Sequence, residues 1–319
     1  MTLDDPLPDR PRIAIIGAGA VGCYYGGRLA EHGHDVHFLM RSDYDAVMHD
    51  GLHISSPLGD AHLKVQAHRS VEEIGPCDLV IIALKATSNP VLLEVLPPLM
   101  HANTLLLTLQ NGLGNEEFLA QHFGGERVLG GLCFVCINRT APGRILHLAQ
   151  GRISLGEHTR PPLPRTHGIA QAFQASKIEC VIEPSLAAAR WKKLVWNIPF
   201  NGLSIAAGGI DTAGILADPA LEQRVRDLMH EIITTARALG HEVSFDLIHD
   251  MIERTRTMSG YRPSSLIDFE EGREVELEPI WGEPMRQAQA SGHTTPLVNR
   301  LHQDLKERIR NRKAGLSIP

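Results

Sequence analysis

Lys193, Asn197 and Asn201 stand at i, i+4 and i+8 in the stretch RWKKLVWNIPFNGLSIAAGG. At about 100° per residue each step of four drifts by only ~40°, so a helix would project all three along one flank. That flank sets an ammonium and two carboxamides into an otherwise apolar segment, which is costly to bury unless those groups meet polar ligand atoms. Hydrogen bonds between helices, or a solvated face, would also satisfy them. Pro199 removes a backbone hydrogen bond within the stretch and could kink the axis enough to splay Asn201 from Lys193.

A second set lies near the start. Gly17, Ala18, Gly19, Ala20, Val21 and Gly22 spell GxGxxG between the β-branched run RIAII and a stretch with helical apolar spacing. The three glycines serve a tight turn, close backbone approach to a pyrophosphate, and close helix-to-strand contact, while the first N–H groups of the following helix meet the diphosphate with the help of the helix dipole. This reads as a dinucleotide-binding turn, the plainer alternative being a glycine turn that holds no ligand. At the end of the second strand, where an NAD site places a carboxylate for the ribose hydroxyls, VHFLM runs instead into Arg41, a cation suited to the 2′-phosphate of NADP. Lys85, just after DLVIIAL, adds positive charge at the same edge; each cation could otherwise be an ordinary solvated side chain. A bound NADPH gives up hydride without the accompanying proton, so reducing a ketone also needs a proton donor.

The elements that must hold these residues are read from periodicity. Apolar runs at 12–16, 36–40, 78–84 and 103–109 have buried-strand length, and helical stretches such as 88–100 between them indicate parallel pairing through crossovers. Residues 127–160 read as short strands punctuated by Gly143, Gly151 and Gly156, an antiparallel or mixed extension of the first sheet. From about 185 strand patterns give way to helical spacing, as in Leu221, Val225, Leu228, Met229, Ile232, Ile233 and Ala236. The expected architecture is α/β: a Rossmann-type NADP-binding domain over 1–184 and an all-helical substrate and catalytic domain over 185–319. A length of 319 residues, about twice a typical domain of ~150, agrees with two units.

Composition narrows the partners. Thirty-one Lys+Arg against 37 Asp+Glu leave a net charge of −6, which supplies no field for a nucleic-acid backbone or an anionic membrane. Any anionic ligand must be held by a local cationic site. No apolar run reaches the roughly 18 residues of a membrane span, and the acidic, Pro-rich start lacks an export pattern, so the expectation is a cytoplasmic protein. Five scattered cysteines read as reduced thiols, and Cys133-Phe-Val-Cys136 has no second pair to make a zinc site. No metal is expected. The basic stretch 306–313 reads as the solvated face of a last helix, and the helical half could supply a homodimer surface.

GAGAVG (17–22), Arg41, Lys85, QNGLGN (110–115), KLxxNxxxN from Lys193 to Asn201, and PSSLIDFEEGREVELE (263–278) together resemble the ketopantoate reductases, or 2-dehydropantoate 2-reductases, in the right order over essentially the whole chain. The resemblance implies NADPH-dependent reduction of a small branched 2-oxo acid in a cleft between the domains. It casts Lys193 as proton donor and Glu276 as its acidic partner, Asn197, Asn201 and Ser264 as holding the substrate's carboxylate and hydroxyl, and Asn111 as lying where nicotinamide and substrate meet. It also gives Arg41 and Lys85 the 2′-phosphate. A lysine near its ordinary value of ~10.4 is protonated at neutral pH and can both donate and stabilise negative charge. Plainer roles stay open: Asn111 as a turn residue, Ser264 as a helix N-cap after Pro263, Glu276 as part of a solvated acidic run. Where the family commonly has Met-Leu-Gln-Asp after its serine this chain has Ser265-Leu266-Ile267-Asp268, and Val275-Glu276-Leu277-Glu278 stands for Thr-Glu-Ile-Asp. Such changes bear on the pocket more than the chemistry, so another small 2-oxo acid or imine is an alternative substrate. A non-catalytic NADP-sensing protein is the alternative of another class.

Overall fold

A computed structural model describes residues 2–258 and 260–314. The RIAII run is β1 (Arg12–Ile16), and its side chains alternate between two cores: Ile13 and Ile15 on one face, Ala14 and Ile16 on the other. Burial on both faces is what a parallel strand under two covering layers requires. In chain order there follow β2 (Asp35–Leu39), β3 (Leu52–Ser55), β4 (Ala61–Leu63), β5 (Gln66–His68), β6 (Leu79–Ile82) and β7 (Leu105–Thr108). The parallel part of the sheet runs β5-β2-β1-β6-β7 and continues, still parallel, into the strand Val128–Ala141, with the helix Ala20–Glu31 packed on one face through Cys23, Tyr25 and Leu29.

Two details of the first half differ from expectation. Residues 88–100 do not form one helix; they break into a 3-10 turn (Ala86–Val91), a single α-turn (Leu92–Val95) and a second 3-10 turn (Pro97–Leu99). Pro90, Pro97 and Pro98 withhold the N–H groups that a continuous helix would use. Residues 127–160 are not several short strands but two long ones, β8 (Val128–Ala141) and β9 (Arg144–Glu157), joined antiparallel through Pro142-Gly143. Gly151 lies at a register shift inside β9, where a bulge bends the strand without ending it. The bent β9 pairs with β3 near its start and with β10 (Cys180–Ile182) near its end.

The chain divides into two compact units, one comprising residues up to Asn111 with Asn115–Leu186, the other Gly112–Gly114 with residues from Ala187 onward. The second unit is helical, with no strand among its described residues. The stripe Val225, Leu228, Met229, Ile232, Ile233 and Ala236 of the helix Pro219–Ala238 is buried in a core shared with Leu194, Val195 and Ile198 of the long helix Leu186–Ala206. Gly112–Gly114 belong here because the Leu113 side chain joins that core and its N–H donates to the Pro279 carbonyl at 2.9 Å. Only glycine fits at 112: φ is +82°, and a Cβ would fall 2.4 Å from the Pro279 oxygen. Among the described residues no helix is long and apolar enough to cross a membrane.

Candidate active site

In the first unit the strand register sets the site. Ile16 is level with Leu39 and Ile82, and Ile82 with Thr108, so the carboxyl ends of β1, β2, β6 and β7 finish together. Gly17–Gly22, Arg41, Lys85 and Asn111 all follow those ends and share one edge of the sheet. β1 lies between β2 and β6, where the strand order reverses, the place at which open α/β sheets hold their ligands.

The three glycines differ in what surrounds them. Gly17 has φ +102°, and a Cβ there would sit 2.4 Å from the Leu84 nitrogen. At Gly22 a Cβ would lie 2.2 Å from the Gly17 oxygen, so the helix crosses the turn in direct contact. At Gly19 a Cβ would meet nothing within 4 Å. Gly19 is the N-cap of the helix Ala20–Glu31 and brings no side chain to its first-turn donors, so the open space fits a diphosphate. Arg41 is exposed beyond β2, and Lys85 is half-buried at the start of the 3-10 turn after β6.

Sequence reasoning missed the network that shapes the β6 and β7 loops. The Thr108 hydroxyl donates to Gln110 Oε1 (2.9 Å), and Gln110 Nε2 donates to Asn89 Oδ1 (2.7 Å). Asn89 Nδ2 in turn donates to Asn115 Oδ1 (3.0 Å), and Asn115 Nδ2 to the Asn111 carbonyl (2.9 Å). Two of these bonds, both at Asn89, tie the turn begun by Lys85 to the loop carrying Asn111, and the other two brace that loop. The signal was present as Gln110 and Asn115 close behind an apolar strand, since carboxamides buried there must satisfy one another.

In the second unit Lys193, Asn197 and Asn201 share one helix that continues through Pro199. Lys193 is half-buried and both asparagines are buried. Asn201 has not been splayed away from the turn above it: its Nδ2 donates to the Asn197 carbonyl (3.0 Å) while its Oδ1 accepts from the Ser265 N–H (3.1 Å). The residue therefore links the long helix to the start of the helix Ser264–Glu270, which explains its burial without a ligand. Ser264 is the exposed first residue of that helix and Pro263, not Ser264, is the N-cap.

Glu276 is half-buried just ahead of a π-helical turn, Glu278–Gly282, and its carbonyl accepts from the Ile280 N–H. Such turns are rare and recur at functional sites. Trp281 in this turn donates to the Ile198 carbonyl (3.1 Å), fixing the segment on the long helix. The neighbouring Glu278 is committed elsewhere: the Arg286 guanidinium at 2.6 Å holds its carboxyl below the usual range, with His302 at 3.1 Å. Three of the five thiols are poor nucleophiles, since burial pushes Cys23 and Cys180 up to about 12 and Cys77 up to about 11.

Residues 13–160 match the family model described as ketopantoate reductase PanE/ApbA, and residues 185–308 match that for the C terminal of the same family. The chain is 40% identical over 314 residues to a 2-dehydropantoate 2-reductase of Nostoc sp., covering 96% of this chain and 98% of that one. It is 30% identical to an uncharacterized Bacillus subtilis oxidoreductase, YkpB, over 92% of this chain and 98% of the other. Among solved structures, a 2-dehydropantoate 2-reductase from Geobacter metallireducens is similar with a TM-score of 0.91 at 44% identity, covering 93% of this chain and 99% of its own.

Proposed function

The chain belongs to the ketopantoate reductase family, and from that premise we propose that it reduces 2-dehydropantoate to pantoate with NADPH. Bound NADPH supplies the hydride that the carbonyl carbon receives. In this reading the Rossmann-type unit holds the cofactor: the turn Gly17–Gly22 receives the diphosphate, Arg41 and Lys85 take the 2′-phosphate, and Asn111 orients the nicotinamide end. The helical unit supplies the substrate groups. Lys193 donates the proton to the developing alkoxide, with Glu276 as its acidic partner, while Asn197 and Ser264 hold the carboxylate and hydroxyl. Asn201 serves by positioning the start of the Ser264 helix. The reaction is assigned to the cytoplasm and to a homodimer, the latter testable by sedimentation.

The observation that carries this reading is the open approach at Gly19, above an uncapped helix and beside a strand that is followed by Arg41 instead of a carboxylate. The test is NADPH oxidation at 340 nm by the purified chain with 2-dehydropantoate. Turnover with NADPH well above that with NADH is expected; no turnover would reject the substrate. A different 2-oxo acid is the second reading, favoured by Ser265-Leu266-Ile267-Asp268 beside Ser264, which depart from the residues common in the family. Higher kcat/KM on another 2-oxo acid than on 2-dehydropantoate in the same assay would select that reading.

A further inference from the structure

Glu231, on the helix Pro219–Ala238, accepts from the Leu297 and Val298 N–H groups (3.0 and 2.8 Å) and so pins the start of the last helix, Pro296–Lys313. These two helices border a groove of about 660 Å³ lined by Arg224 from the first and by Arg300, Asp304, Lys306, Glu307 and Arg310 from the second. Several other cations of this unit are matched by carboxylates: Arg226 and Arg256 on Glu222, Arg273 on Asp268, Arg286 on Glu278 and Glu283. The side chains of Arg224, Arg300, Lys306 and Arg310 make no ion pair or hydrogen bond among the described residues. Asp304 does not neutralise them, because Arg308 holds its carboxylate at 2.9 Å.

Four cations thus face one remaining carboxylate, Glu307, in a chain whose net charge is −6. Arg300 and Arg310 are ten residues apart, about 15 Å along the helix, a span too long for one phosphate. Three of the four are arginines, whose forked donors match phosphoryl oxygens two at a time. The volume lies within the ~300–1,000 Å³ of small-molecule sites. We propose that this groove binds a small molecule carrying a chain of two or more phosphoryl groups. None of its residues belongs to the reductase set, so the site stands independently of that activity.

The test is calorimetric titration of the full chain with inorganic phosphate, pyrophosphate and tripolyphosphate at fixed ionic strength. Affinity is expected to rise along that series, and Arg300→Glu/Arg310→Glu is expected to lower pyrophosphate affinity by about tenfold or more while leaving reductase kcat and Tm unchanged. If the double variant misfolds, Arg224→Gln should still weaken binding several-fold. Arg41→Ala/Lys85→Ala, which strips the cations from the nucleotide edge, should leave this binding intact. A flat series, binding indifferent to the groove variants, or binding lost with Arg41 and Lys85 would each overturn the proposal. So would a dimer that the double variant dissociates in a chain that takes up no anion.

Discussion

One methyl group is enough to separate the three tasks of the glycine turn. Gly17→Ala and Gly22→Ala drive a Cβ to within 2.4 and 2.2 Å of fixed backbone atoms, so each should lower stability by roughly 2–3 kcal/mol in urea titration. Gly19→Ala has room for its methyl and should keep its Tm, while in the proposed reading NADPH affinity falls about tenfold because the methyl would enter the space the diphosphate takes. Equal Tm losses at all three positions would contradict this division. Lys193→Ala is expected to cut kcat by about 10²–10⁴, the usual worth of a positioned acid, with NADPH binding unchanged; wild-type kcat would exclude the lysine as donor. The shape of the turn and the shared Lys193 flank were legible because their spacing is fixed within one element. Asn89 was not, because it meets Gln110 only after a strand intervenes, and nothing local in its sequence marks that partner.

Elements explain what a motif leaves out. The helix Ser264–Glu270 begins at Pro263, whose side chain cannot cap it, and the missing acceptor for the Ser265 N–H arrives from Asn201 on another helix. Asn201→Ala should therefore cost about 1–2 kcal/mol of stability and lower kcat/KM by shifting Ser264. Asn201→Asp keeps the acceptor while losing the donor to the Asn197 carbonyl, and should recover part of both; no recovery would mean the link to Ser265 is not what matters. The parallel strands were readable because burial on both faces makes them continuously apolar. The 88–100 stretch was misread because its apolar spacing is helical while its three prolines are not. In the 127–160 stretch Gly151 sits at a bulge within one long strand, and sequence does not distinguish a bulge from a strand end.

At the scale of the whole chain, acid stability should be set first by histidines. Burial is the main force holding His34, His37, His68 and His147 of the first unit below the ordinary histidine value, and it acts likewise on His241 of the second. His147 shows the reason: it is buried, Nε2 faces the Ala149 and Gln150 carbonyls at 3.0 and 3.1 Å, and Nδ1 lies 2.8 Å from the Ser56 hydroxyl. That network assigns the single proton to Nε2 and leaves Nδ1 to accept. As pH falls below about 6.5 the unfolded chain protonates these rings while the folded chain resists, so the unfolded state binds more protons and stability drops with acid. Glu222 and Glu278 are held below their ordinary range by arginines, so their contribution is present above about 4.3 and is lost only at lower pH. Scanning calorimetry at constant ionic strength should therefore show Tm falling already as pH is lowered from 7.5 to 5.5, chiefly in the transition of the first unit. His147→Gln, which keeps a donor for the carbonyls and an acceptor for Ser56, should flatten that decline. A Tm that holds or rises over the same window would show that the folded chain accommodates charged imidazoles at these buried positions.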